Sequence, residues 1–244
     1  MREICAHGAK AHCIFDGLCF DYGMNIMEPL TRRKTMTERL YYYSDDLQGE
    51  AQVLACTPVE DGGYAIELNA TLFHPQGGGQ PADGGLLGTT PVLRVAQQGE
   101  KVLHFTAEPL PEGPVSVTVD GELRRLHTRW HSAGHLIGWL GETRGWRPVK
   151  AHHWPGEGRI TFVPDAEPQT LDQDFLHAEL ARLIAADFPR KQLTVDGLRQ
   201  VGFGELPTYG CGGTHVPSLA ELGRINITAL KMKKGQLIVQ YELG

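Results

Sequence analysis

The sequence predicts an α+β fold in which a small, mostly antiparallel β-barrel or sandwich precedes a region of mixed helix and sheet. Three observations lead to this prediction. Short β-prone runs separated by turn residues dominate the chain from Thr37 to Val119. Apolar residues then recur at helical spacing after Asp120. The remaining C-terminal part combines a second helical segment with further strand-like runs.

Composition and charge exclude several classes of protein. The chain has 244 residues, of which 41% are hydrophobic, and its formal net charge is −6. No apolar run approaches the ~18 residues of a spanning helix, so we expect no membrane association. The acidic balance excludes nucleic-acid coating through bulk positive charge, but it allows a local basic face. The five cysteines contain no C-x-x-C pair, which argues against a disulfide framework and predicts a cytoplasmic protein.

Residues 1–35 differ from the rest of the chain. They contain Cys5, Cys13 and Cys19, and their apolar residues follow neither a strand nor a helix period. These apolar residues are also too scattered to form the apolar region of a secretory signal peptide. We therefore expect residues 1–35 to be a disordered or non-native extension, with the functional chain starting at Met36.

Residues 36–119 are predicted to form a β-barrel or sandwich of about five or six strands. The predicted strands are Gln52–Cys56, Tyr64–Leu68, Val92–Val95, Val102–Thr106 and Val115–Val119. Turn residues at 61–63 and 98–100 predict hairpin connections. A glycine-rich loop, His74–Gly85, interrupts the strands, because its glycines and prolines are incompatible with a strand interior.

Residues 120–244 are predicted to form a second, α+β domain. Asp120 is expected to cap its first helix, and the predicted buried stripe consists of Leu123, Leu126, Trp130, Ile137 and Leu140. A second helix is predicted from about Leu171 to Asp187, where Pro189 stops it. The other predicted elements are a strand at Arg159–Val163, a loop at Leu206–Pro217 and a hairpin of Arg224–Met232 with Gln236–Glu242.

The first predicted helix carries candidate metal ligands. His127, His131 and His135 follow one another at four-residue intervals, which places adjacent imidazoles on one helix face. Any adjacent pair could bind an ion. Gly134 and Gly138 leave the surface around the last two histidines bare, which favours His131 and His135.

A second candidate element lies far along the chain. Cys211 and His215 form a C-x-x-x-H pair in a glycine-rich loop, and their sulfur and nitrogen donors suit zinc. The long separation from His135 differs from the short spacing of zinc fingers, so we expect an ion in the cleft of a domain that folds on its own core. Taken alone, each element also fits a structural role, as surface histidines or as a small buried cysteine.

Three motifs together resemble the AlaX-type alanyl-tRNA editing proteins, which are similar to the editing domain of alanyl-tRNA synthetase. The motifs are Arg124-Arg125 with His131-Ser132-Ala133-Gly134-His135, the element Cys211-Gly212-Gly213-Thr214-His215, and the run from Thr71 to Asp83. Their order and separation agree with the family over residues 36–244. The resemblance implies the medium-length form, with a small N-terminal β-barrel bearing the glycine-rich loop and an α+β zinc-dependent editing domain.

The resemblance also implies an activity and a set of site residues. The activity is hydrolysis, in trans, of the ester that links serine or glycine to alanine tRNA. One Zn²⁺ per chain would be bound by His131, His135, Cys211 and His215. Thr71 matches the threonine that recognises a serine hydroxyl, and Gln80 matches the glutamine of the glycine-rich loop. His74 departs from the family's usual tyrosine, and Gly134 is smaller than the residues usual there, so both bear on the shape of the pocket.

Binding of tRNA would need a basic surface on the protein despite its acidic total charge. Candidate phosphate contacts are Arg124, Arg125, Arg129, Arg144, Arg147, Lys150, Arg159, Lys231, Lys233 and Lys234. The alternative is that these charges are merely solvated. Two other functions stay open: a related zinc hydrolase acting on another ester, and a non-catalytic, zinc-containing tRNA-binding module.

Overall fold

A computed structural model describes residues 36–60, 62–165 and 167–244, so the predictions for residues 1–35, including Cys5, Cys13 and Cys19, lie outside the described residues. The described residues belong to one compact unit. They are mostly sheet with two α-helices, so the prediction of a mixed α+β fold is confirmed. The predicted domain boundary between residues 119 and 120 stays a prediction.

Six antiparallel strands of the N-terminal half close into a barrel. The strands of this half are β1 (Glu38–Arg39), β2 (Gln48–Pro58), β3 (Tyr64–Leu68), β4 (Ala70–Thr71), β5 (Gly85–Leu87), β6 (Thr90–Gln98), β7 (Lys101–Thr106) and β8 (Gly113–Val119). The order around the barrel is β2-β3-β7-β6-β5-β8, while β1 and β4 pair in parallel outside it. Alternate residues point inward, as in β7, where Val102, His104 and Thr106 are buried.

The glycine-rich loop is one residue shorter than predicted, because Gly85 begins β5. A Cβ atom on Gly85 would lie 2.1 Å from the carbonyl oxygen of Thr118 in β8, and its φ is 150°. Glycine is therefore needed there for the close approach of two paired strands. The prediction that Gly85 ends a loop was wrong because the sequence alone does not distinguish these two uses of glycine.

The C-terminal half combines two helices with two sheets. Its elements are α1 (Gly121–Glu142), β9 (Trp146–His152), β10 (Arg159–Pro164), α2 (Gln173–Ala186), β11 (Arg190–Val195), β12 (Leu198–Phe203), β13 (Tyr209–Gly210), β14 (Ile225–Lys233) and β15 (Gln236–Leu243). The sheets have the orders β14-β15-β10-β9 and β11-β12-β13. Short 3₁₀ helices lie at Leu40–Tyr42 and Leu219–Leu222. Of the described helices, none combines the length and the apolar character needed to cross a membrane.

Local signals set the ends of both helices. The Asp120 carboxylate accepts a hydrogen bond from the backbone N–H of Leu123 at 3.0 Å, and Asp172 caps α2 in the same way through Phe175. The predicted cap at Asp120 is confirmed. Strands β9, β11 and β12 were not predicted, because segments such as Trp146–His152 combine a proline with charged residues and lack regular alternation. The short strands β1, β4, β5 and β13 were not predicted either, and β13 lies within the predicted loop Leu206–Pro217.

The buried side of α1 changes character along its length. Its second half packs Ala133, Leu136, Ile137 and Leu140 into a core shared with α2 and the four-stranded sheet. Its first half instead buries polar residues, namely Arg124, His127, Thr128 and His131. Leu126, predicted as part of the buried stripe, is therefore exposed. Polar partners in neighbouring loops, which periodicity does not reveal, decide which side of this half faces inward.

Candidate metal centre

Four predicted ligands converge at the middle of α1. The donor atoms of His131, His135, Cys211 and His215 all lie within 4.8 Å of one another. The Cys211 Sγ atom is 3.5 Å from His131 Nε2 and 3.2 Å from His215 Nε2. Tetrahedral zinc with bonds of about 2.0–2.3 Å would separate such atoms by about 3.3–3.6 Å. This cluster could therefore hold a metal ion, and three imidazole nitrogens with one sulfur are a donor set that zinc accepts.

A glycine allows the Cys211–His215 loop to approach the helix. A Cβ atom on Gly213 would lie 1.9 Å from Cε1 of His131, so any larger residue would push the loop away. The loop follows β13, which pairs with β12. Arg199 in β12 donates hydrogen bonds to the carbonyl oxygens of Cys211 and Gly213 at 2.8 and 2.9 Å. The loop is thus held from both sides.

Gln80, which follows the three consecutive glycines within the glycine-rich loop, fixes the orientation of His131. Its amide oxygen lies 2.5 Å from His131 Nδ1 and also accepts a hydrogen bond from the backbone N–H of Thr214. Because an amide oxygen only accepts, Nδ1 of His131 carries the proton, and the Nε2 lone pair faces Cys211. The Gln80 amide nitrogen donates to Thr214 Oγ1 at 2.8 Å. Gln80 is fully buried. It holds His131 by one ring nitrogen while the other ring nitrogen faces Cys211.

The other histidines of this region differ in their surroundings. His215 Nδ1 lies 3.2 Å from Ser132 Oγ, which also accepts a hydrogen bond from the backbone N–H of Val216. His127, the third histidine of the helix, lies outside the cluster. Of the three helix histidines, His131 and His135 are thus the two that belong to the cluster that could hold a metal ion.

Burial keeps the cluster uncharged in the absence of a cation. It lowers the pKa of His135 to about 4 and lowers the pKa values of His131 and His215 well below their usual range. Burial also raises the pKa of the Cys211 thiol. The histidines therefore offer free lone pairs at neutral pH, whereas the thiol needs a nearby cation to lose its proton.

A cavity of about 280 Å³ opens beside the cluster. Its lining includes His135, Cys211 and both glycines that the sequence marks as bare surface, Gly134 and Gly138. Gly138 has no atom closer than 3.9 Å to a built Cβ position, so a ligand can approach the helix there. At Gly134 the corresponding position would lie 2.1 Å from His153, so that part of the surface is already covered.

His153 lines the cavity, and sequence reasoning did not find it. The Tyr241 hydroxyl donates to the carbonyl oxygen of Trp130 at 2.9 Å and lies 2.8 Å from His153 Nδ1. Since the hydroxyl proton is already used, Nδ1 of His153 must donate, and its Nε2 keeps a lone pair. Burial lowers the pKa of His153 to about 3, so the ring is neutral. The adjacent pair His152-His153 was the available signal, but no ligand spacing links it to the cluster.

Thr71 forms a separate polar pair with His104 of the barrel strand β7. Its hydroxyl is fully buried, 2.7 Å from His104 Nε2, and accepts a hydrogen bond from the backbone N–H of Phe73. His104 Nδ1 faces the carbonyl oxygen of Ile66, so Nδ1 donates and Nε2 accepts the Thr71 proton. Among the described residues, Thr71 is not part of the lining of the cavity beside the cluster.

Two of the predicted phosphate contacts are used inside the protein. Arg124 is buried and forms an ion pair with Asp83, and it also donates to the carbonyl oxygen of Leu72 at 2.6 Å. Arg129 donates to the carbonyl oxygens of Leu222 and Gly244. The prediction was wrong for Arg124, because its carboxylate partner lies 41 residues earlier in the glycine-rich loop.

Comparison of the sequence with known proteins finds one matching domain family and several similar proteins. Residues 198–238 match the family described as the threonyl and alanyl tRNA synthetase second additional domain. The alanyl-tRNA editing protein Aarsd1 of Rattus norvegicus is 32% identical over 219 residues, covering 75% of this chain and 52% of the relative. Aarsd1-A of Xenopus laevis is 28% identical over 234 residues, covering 78% of this chain and 56% of the relative.

A longer type of protein also matches. The alanine–tRNA ligase of Halorubrum lacusprofundi is 29% identical over 229 residues, covering 78% of this chain but 24% of the ligase. The chain spans about half the length of the curated editing proteins that it matches. The similarity therefore concerns a part of each longer protein.

Proposed function

We propose, starting from the fact that this chain is a relative of the AlaX-type alanyl-tRNA editing proteins, that it hydrolyses the ester between a wrong amino acid and alanine tRNA. The observation that carries the proposal is the convergence of His131, His135, Cys211 and His215 beside an open cavity. Names of the relatives support editing as the activity. The substrate would be Ser-tRNA(Ala), with Gly-tRNA(Ala) as a further target, in the cytoplasm.

The bound ion would be a single Zn²⁺. A zinc ion held by these four residues would polarise a substrate oxygen or a water molecule, or anchor one end of the substrate. Gln80 would keep His131 in the tautomer that binds a cation. The neutral Nε2 of His153 would accept a hydrogen bond from the substrate's amino group or from a water molecule in the cavity.

The reaction asks mainly for orientation. An aminoacyl ester is already activated, so the residues must hold a water molecule against the ester carbonyl while the tRNA hydroxyl leaves. The cavity of about 280 Å³ is large enough for a small amino acid at the end of a ribose. The open surface at Gly138 would let the ester approach the helix that carries two of the ligands.

A role for Thr71 in recognising the serine hydroxyl remains part of the proposal. A polar pocket rejects an analogue that lacks the hydroxyl far better than an apolar pocket rejects one that has it. Direct recognition would require the Thr71 hydroxyl to exchange its hydrogen bond with His104 for one with the substrate. The alternative is that Thr71 acts only as a positioning residue for the start of the glycine-rich loop.

A second candidate function is a non-catalytic, zinc-containing tRNA-binding module. One observation favours it: four protein ligands complete a tetrahedral shell, which is the usual arrangement at structural zinc sites. A related hydrolase acting on a different ester is the other alternative.

The testing experiment is deacylation of Ser-tRNA, Gly-tRNA and Ala-tRNA, all on alanine tRNA, by the zinc-loaded protein. We expect rapid loss of the serine ester and sparing of the alanine ester. A Thr71→Val variant in the same assay separates recognition from positioning. Selective loss of serine hydrolysis indicates recognition, whereas an equal loss for all esters indicates positioning. If the folded, zinc-loaded protein cleaves none of the esters, the editing proposal fails and the binding module becomes the better function.

A further inference from the structure

The four-stranded sheet has one open face, which we call the outer face. The other face packs against α1 and α2 through buried residues such as Ile160, Phe162 and Val239. The strand register puts Lys150, Thr161, Ile238 and Lys231 side by side across all four strands. Each of these four side chains is exposed or half-buried. The outer face is thus a continuous surface formed by alternate residues of β9, β10, β15 and β14.

The outer face is strongly basic in a chain whose net charge is −6. Its lysines and arginines are Arg147, Lys150, Arg159, Lys231 and Lys233, with Lys234 in the following turn. The four strands contain a single acidic residue, Glu242, at the far end of β15. Glu157, just before β10, pairs with Arg159 and His152. A shallow groove between Lys150, Arg159, Lys233 and Lys234 occupies this face.

Strand β9 connects the outer face to the cavity beside the metal cluster. It is the edge strand of the sheet, and only its end is flanked by the glycine-rich loop, where the Gly79 carbonyl accepts a hydrogen bond from the backbone N–H of His153 at 2.9 Å. Pro148, Ala151 and the following residue His153 line the cavity, while Lys150 and His152 belong to the outer face. A chain that crosses this edge passes from the basic groove to the cavity around a single strand.

An aromatic pair stands where β9 ends. The rings of His152 and Trp154 are stacked, with centroids 5.6 Å apart and an interplanar angle of 10°. Trp154 is 38% exposed. A flat aromatic surface beside basic residues is the combination that binds single-stranded nucleic acid, because bases stack on the ring while phosphates contact the charges.

We infer that the outer face binds the phosphates of a tRNA acceptor end, and that the Trp154–His152 pair stacks against an unpaired base as the 3′ end crosses β9 into the cavity. This inference rests on the proposed function and adds to it a docking surface and a direction of approach. Charge complementarity identifies the partner as a polyphosphate chain, and the exposed ring identifies its last part as single-stranded.

The test uses reversed charges on the outer face and a matched control. The variant carries Lys233→Glu and Lys234→Glu, and the control carries Arg182→Glu and Arg224→Glu, which lie on α2 and beside it. Binding of uncharged alanine tRNA is measured over a range of salt concentrations. We expect the variant to bind at least about tenfold more weakly with a shallower salt dependence, and the control to bind about tenfold more tightly than the variant.

Two further measurements distinguish an effect on tRNA binding from an effect on the hydrolytic site. Hydrolysis of a seryl ester of adenosine, which has no tRNA body, should be unchanged in the charge-reversed variant. Trp154→Ala should weaken tRNA binding by about tenfold, and Trp154→Phe should restore most of it.

The outcomes are distinguishable. If the wild-type protein binds alanine tRNA and the charge-reversed variant binds it equally well, the docking surface is wrong while the editing function stands. If the wild-type protein does not bind alanine tRNA and cleaves neither Ser-tRNA(Ala) nor the seryl ester of adenosine, the proposed function fails and the inference fails with it. Binding to phosphatidylserine vesicles in place of tRNA would also overturn the inference.

Discussion

Buried polar side chains are used differently in the barrel and at the middle of α1. In the barrel, Thr71 and His104 satisfy each other and two backbone groups, so no hydrogen-bonding atom of the pair is left over. Around α1, the Nε2 atoms of His131 and His215 point toward one sulfur beside an open cavity. Closed hydrogen bonding gives the barrel rigidity, whereas convergent lone pairs create a place for a cation.

The difference shows how buried polar residues can be sorted in this protein. Both groups are removed from water, and burial lowers histidine pKa values in both. What separates them is whether the polar atoms are paired with one another or converge on one position that a cation could occupy. Gln80, Ser132 and Thr214 provide the hydrogen bonds that hold the convergent group in place.

The largest expected effect comes from removing a ligand. Cys211→Ala deletes the sulfur donor, so we expect loss of stoichiometric zinc and a fall in deacylation on the order of a thousandfold, because polarisation by a metal contributes several kcal/mol. The α-helical signal should persist, since α1 and α2 share an apolar core independent of the cluster. Metal analysis, circular dichroism and single-turnover deacylation test this. Unfolding of the variant would instead indicate a structural zinc site.

The next largest effect concerns the ion pair that joins the barrel half to α1. Asp83→Asn leaves the buried Arg124 guanidinium without its carboxylate, and we expect the free energy of unfolding to fall by about 3–5 kcal/mol. Urea denaturation at pH 7 measures it. The control is Glu179→Gln, which breaks the exposed pair with Arg182 and should cost under about 1 kcal/mol. Equal costs for the two variants would contradict this account.

Acid should destabilise the barrel through His104. Burial lowers the pKa of His104 to about 4, whereas its unfolded value is 6.5. The unfolded chain therefore binds more protons between these pH values, so the stabilisation is present above pH 6.5 and is lost as the pH falls to 4. We expect the wild type to lose about 3 kcal/mol more than His104→Gln over this interval. Urea denaturation at several pH values tests it, and parallel pH dependences would refute it.

The smallest effect is expected from Gln80, which hydrogen-bonds the candidate ligand His131 without being a ligand itself. Gln80→Leu removes the acceptor for His131 Nδ1, and we expect zinc affinity to fall by about 10–100-fold. Gln80→Glu, which keeps an acceptor, should restore much of the affinity. Competition with a chelator measures both variants, and Gln97→Leu on the exposed surface of β6 is the control. Unchanged affinity in Gln80→Leu would limit Gln80 to a packing role.

Much of the architecture follows from local patterns. Four-residue spacing places His131 and His135 on one helix face, and the C-x-x-x-H pair brings Cys211 and His215 together within one loop. The helix cap at Asp120 and the alternating apolar residues in β3 and β7 are also local. These features depend on residues a few positions apart, so periodicity and capping chemistry predict them.

Only the tertiary structure decided how distant residues meet. His153 reaches the cavity through Tyr241, 88 positions away, and Gln80 supports His131 across 51 positions. Arg124 is buried because it pairs with Asp83, although the sequence predicts it to be an exposed, phosphate-binding arginine. Strand β9 contributes residues to both the basic outer face and the cavity, yet its sequence shows no regular alternation. Such relations depend on which surfaces pack together, and the spacing of residues along one chain does not contain that information.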